Sequence, residues 1–61
     1  MKEYRYIKEY VRLKGTVLKI WNIYRIKQIS KYNYEVYSRE YDIKICNITQ
    51  KMLNHFFEEV K

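Results

Sequence analysis

A single cysteine, Cys46, stands in a chain of 61 residues. No internal disulfide can form, and below about 70–80 residues a hydrophobic core alone contributes only a few kcal/mol. Small domains make up that deficit with a metal, a bound partner or a second copy of themselves. One Cys and one His, His55, cannot close a tetrahedral metal site within the chain. No metal or other cofactor is therefore expected, and a partner or a homo-oligomer becomes the expected source of extra stability. No run of about 18 apolar residues occurs, so no membrane span is expected. The opening MKEYRYIKEY lacks the apolar stretch of a signal peptide. With the lone thiol, this predicts an intracellular, cytoplasmic protein forming one domain over residues 1–61.

Charge is distributed unevenly. The net charge is +6, yet residues 1–31 hold nine Lys or Arg against two acids, and residues 32–61 hold four against five. A basic half beside a nearly neutral half predicts one surface that attracts anions. Ile, Lys, Asn and Tyr, all with A/T-rich codons, make up 29 of the 61 residues, so base composition can supply much of the Lys and Tyr. It does not account for the asymmetry.

Two periodicities compete over residues 4–24. On a helical wheel Tyr6, Ile7, Tyr10, Val11, Leu13, Val17, Leu18, Ile20, Trp21 and Tyr24 share about half the circumference. Arg5, Lys8, Arg12 and Lys19 lie opposite. This pattern predicts an N-terminal amphipathic helix over 3–14, continuing to about 24. Strand propensity and Gly15 favour the alternative, a mainly β small barrel whose first hairpin turns at Lys14-Gly15. Farther on, IYRIKQIS, YEVYS and DIKIC are short and rich in β-branched and aromatic residues, predicting a three-stranded antiparallel sheet. In the last of these, Ile43 and Ile45 are expected to face the core, and Asp42 and Lys44 water. Thr49 can cap a C-terminal helix through residues 50–61, with Met52, Leu53, Phe56, Phe57 and Val60 on one side. The expected fold is α+β: N-terminal helix, small sheet, C-terminal helix packed on it.

Catalytic chemistry finds little to work with. Cys46 lies in IKICNI, where a thiol behaves as a small hydrophobe, and no second histidine offers a base. Glu58 and Glu59 are neighbours that point apart on a helix. One glycine cannot build a phosphate-cradling loop. The chain is expected not to be an enzyme.

Residues 33–57 resemble the helix-turn-helix of TetR-type repressors. Asn33 and Tyr34 match its start, Asn47-Ile48-Thr49 its turn and Gln50–Phe57 its recognition helix. The match covers under half the chain, and Asp42, Ile43 and Asn54 depart from the pattern. The expected order helix, three strands, helix is similar in topology to double-stranded RNA-binding domains, whose Lys-rich motif is reduced here to Lys51. Short, motif-free chains with A/T-biased codons also resemble accessory proteins of phages and mobile elements.

Two functions follow as expectations. The first is a non-enzymatic nucleic-acid-binding module using Arg5, Lys8, Arg12, Lys14, Lys19, Trp21, Arg25 and Lys27, the cations on phosphates and the aromatics on bases. The alternative is a small protein–protein inhibitor or adaptor that docks on a nucleic-acid-processing complex. The surplus of Tyr and Trp for so small a core supports that alternative.

Overall fold

Residues 2–6 read KEYRY and alternate strictly, with Glu3 and Arg5 on one side and Tyr4 and Tyr6 on the other. They form a strand, β1 (Lys2–Tyr6). A computed structural model describes residues 1–10 and 18–61. After β1 come β2 (Ile23–Ser30), β3 (Asn33–Ser38), β4 (Lys44–Thr49), a helix α1 (Gln50–Phe56) and β5 (Phe57–Glu59). The strands make one antiparallel sheet in the order β4-β3-β2-β1-β5.

The expected α+β architecture with an N-terminal helix is thus corrected: the sheet has five strands, and among the described residues no helix precedes α1. The helical arc extends over the 21 residues 4–24, whereas tyrosine-rich alternation over only five decides β1. Tertiary pairing completes the choice, since β1 finds partners on both sides, with Tyr4 opposite Tyr24 on β2 and opposite Glu59 on β5. The remainder of the expected helix, residues 11–14, and the alternative hairpin turn at Gly15 lie outside the described residues.

One sheet face carries the core. Tyr6, Tyr24, Ile26, Val36 and Ile48 share it with Leu53 of α1 and Phe57 of β5, and Val36 at the centre is 0 % exposed. A bulge occurs where β3 meets β4, because Tyr37 pairs with Lys44 but Val36 with Cys46. The extra residue turns both Ile45 and Cys46 toward the core and leaves Lys44 on the far face, where Nζ lies 3.1 Å from Glu35. Ile45 and Lys44 are therefore oriented as the sequence predicts. Ile43 is not: it precedes β4 and is 62 % exposed.

Thr49 caps α1 as expected, its Oγ1 accepting from Met52 N at 3.2 Å. The helix stops at Phe56 rather than running to residue 61. Phe57 is extended (φ −128°, ψ 153°), and its ring packs 5.0 Å from that of Tyr6. Covering the open edge of β1 outweighs further helix, and FFEEV suits a strand. Glu58 and Glu59 are strand residues. The helix-turn-helix resemblance fails for the same kind of reason, since residues 33–38 and 44–49 are strands. The double-stranded RNA-binding topology fails because the chain opens on a strand, β1, rather than on a helix.

Candidate docking groove

Two buried tyrosines bind the chain at Tyr10 and at Lys19. Tyr6 Oη accepts from Tyr10 N and Tyr24 Oη accepts from Lys19 N, each at 2.7 Å. A turn over Lys19–Asn22 follows, closed by Asn22 N donating to Lys19 O at 3.2 Å. It is held to β1 by Trp21 N donating to Tyr6 O and by Tyr6 N donating to Asn22 O. Trp21 occupies the third position of this turn with φ 74°, a left-handed conformation that favours Gly or Asn and is costly for a bulky residue. The indole is 66 % exposed.

A second turn lies alongside, because Tyr24 at the start of β2 pairs with Ser38 at the end of β3. In that turn Asp42 N donates to Ser38 O at 2.9 Å and Ser38 N to Ile43 O at 2.8 Å. Among the described non-glycine residues Asp42 is the other with positive φ, at 57°. Tyr41 and Ile43 project on either side of it, and Tyr41 is 73 % exposed. Between the two turns runs an open groove of about 1070 Å³. Trp21, Ile23, Tyr24, Tyr41, Ile43 and Ile45 give it an apolar lining, and Lys19, Arg39, Glu40 and Lys44 rim it.

The sheet face away from the core is charged, and several of its cations face carboxylates. Arg25 and Arg39 lie 3.8 and 3.2 Å from Glu3, and Lys44 lies 3.1 Å from Glu35. Lys27 sits opposite Glu35 and Arg5 opposite Glu58 in the strand register. A hydrogen bond from Tyr37 Oη and the nearby Lys44 hold the Glu35 carboxyl below its usual range, and the same bond raises the Tyr37 phenol. Among the described residues Lys19, Glu40 and Asp42 join no ion pair.

The expected binding residues are divided by this arrangement. Arg5, Arg25 and Lys27 share the charged face. Lys19 and Trp21 line the groove. Lys8 stands apart, its Nζ 3.5 Å from His55 Nε2 and 6.0 Å from the Phe56 ring. Arg12 and Lys14 lie outside the described residues. Sequence reasoning missed Tyr41 and Ile43, whose exposure depends on the turn that carries them. The available signal was SREYDI, a polar turn with two large apolar residues in it.

At the opposite end a smaller concavity of about 540 Å³ opens on the core face, with Ile26 at its base between Tyr4 and Tyr34. Burial, and then the charge of Glu59, raises the Tyr4 phenol. Tyr34 Oη donates to Gln50 Oε1. Burial likewise pushes the Cys46 thiol up, the opposite of an activated nucleophile. Among the described residues no three of His, Cys, Asp and Glu converge in a way that could hold a metal ion, and no helix is long and apolar enough to cross a membrane. No protein-family model, curated protein or solved structure matches the chain.

Proposed function

We propose that this protein is a non-enzymatic protein-binding module, of inhibitor or adaptor type, that docks through the groove between its two turns. The observation that carries this reading is the exposure of Trp21, Tyr41 and Ile43 side by side. Isolated apolar residues on a surface need no explanation, but a contiguous set that includes Trp and Tyr has the composition of interface anchors. Strain supports it as well. A tryptophan at φ 74° costs folding free energy and contributes little core in return, which points to a role outside the fold.

Nucleic-acid binding through the basic half is the second reading, favoured by Arg5, Arg25 and Lys27 lying on one face. It is weaker because each of those cations faces a carboxylate across the strands. A photo-crosslinking residue in place of Tyr41, in cells making the full chain, tests the first reading. Protein adducts should form there, be lost on Trp21→Ala, and not form from position 54 on the exposed side of α1. Adducts to nucleic acid, or equal yields from both positions, would overturn it.

A further inference from the structure

The groove is chemically two-sided. Its β1–β2 wall carries Trp21 and, at the rim, the cation Lys19. Its β3–β4 wall carries Tyr41 and Ile43, with Glu40 at the rim and Asp42 in the same turn. The remaining rim charges, Arg39 and Lys44, are already matched by Glu3 and Glu35 within the chain. Among the described residues the groups that join no ion pair are thus positive on one wall, at Lys19, and negative on the other, at Glu40 and Asp42.

A two-fold axis through the groove brings each wall onto its opposite. Lys19 would then face the partner's Glu40, Trp21 would enter between the partner's Tyr41 and the partner's Ile43, and every contact would occur twice. That is the self-complementarity an isologous interface requires. Size adds an independent argument. The chain has no disulfide, and seven of the described residues form its buried core, so association is a direct way to bury more apolar surface. Trp21, Tyr41 and Ile43 are all more than half exposed and together offer on the order of 450 Å² per copy, so a two-fold contact here approaches the lower bound of about 1,000 Å² for a specific interface.

We propose that the groove is occupied by a second copy of this chain, forming a two-fold dimer. The proposal rests on the docking reading above and names its partner. Its affinity falls in the micromolar range, about 1–100 μM, as expected for an interface of minimum size.

Sedimentation equilibrium of the full chain over a concentration series tests this. A monomer–dimer equilibrium is expected. Trp21→Ala should weaken it by more than about 100-fold, since two anchors are lost per dimer. Lys19→Glu should weaken it about tenfold, and Lys19→Glu combined with Glu40→Lys should restore it, because the rim polarity is merely exchanged. Circular dichroism verifies that each variant is folded, and Asn54→Ala, on the exposed side of α1, serves as an unaffected control. A monomer throughout the series overturns the dimer, as does a dimer that ignores both Trp21→Ala and Lys19→Glu. Crosslinks from position 41 to a different protein, with the chain monomeric, would leave the docking reading standing and remove only this one. Neither self-association nor protein crosslinks would remove both.

Discussion

Replacing Trp21 in parallel by Ala and by Gly should invert the usual order of the two residues. Outside special backbone positions Gly destabilises relative to Ala by about 0.5–1 kcal/mol, because it loses more chain entropy on folding. At φ 74° the balance changes: a left-handed conformation costs a residue with a Cβ about 1–2 kcal/mol and glycine almost nothing. The difference makes Trp21→Gly more stable than Trp21→Ala by about 0.5–1 kcal/mol. Both variants lose the same indole, so the third of it that is covered cancels in the comparison. For a domain of this size, such a gap corresponds to a difference in Tm of about 3–8 °C. Urea and thermal unfolding, run at a concentration where the chain is monomeric, provide the assay. Equal stability, or Ala above Gly, would refute the strained turn, and with it the argument that Trp21 is held there for contact outside the fold.

Three further outcomes follow from the same geometry. Tyr24→Phe should cost about 1 kcal/mol in urea unfolding by removing the acceptor of the Lys19 amide, and should speed hydrogen exchange in the Lys19–Asn22 turn. Val36→Ala, at the fully buried centre of the sheet, should cost about 2–3 kcal/mol and bring the chain close to unfolding at room temperature, as read by near-ultraviolet circular dichroism. Because Glu35 titrates lower in the folded chain than in the unfolded one, its contribution is present above the ordinary carboxylate range. That contribution is lost as pH falls through the lowered value. Glu35→Gln should therefore flatten the acid side of the stability–pH profile measured by urea unfolding.

Legibility in the sequence followed the length scale of the deciding interaction. Thr49 announced the start of α1 because capping is settled within three residues. The strands after Tyr24 were visible because β-branched and aromatic alternation is also local. Residues 2–6 misled because five alternating residues lay inside a longer stretch with good helical arrangement, and their pairing partners are about 20 and 50 positions away. Phe57 misled in the same way: nothing near it shows that it must reach Tyr6. The groove was half legible. Trp21 and Lys19 stood out by type, whereas Tyr41 and Ile43 became surface residues only through a turn and a bulge that pairing with β3 imposes. The basic cluster was legible as composition, yet the placement of Arg5, Arg25 and Lys27 opposite carboxylates depends on a register that the residues alone do not reveal.

Trp21 is the chain's one tryptophan, so its fluorescence reports on the groove without any label. Acrylamide quenching of Trp21 from about 1 μM to 1 mM protein spans the expected dissociation constant. An indole open to quencher when dilute, becoming shielded and blue-shifted along the same curve as the rise in sedimenting mass, is the predicted result. An indole already shielded at the lowest concentration, or one still fully accessible after the chain has associated, would contradict the account.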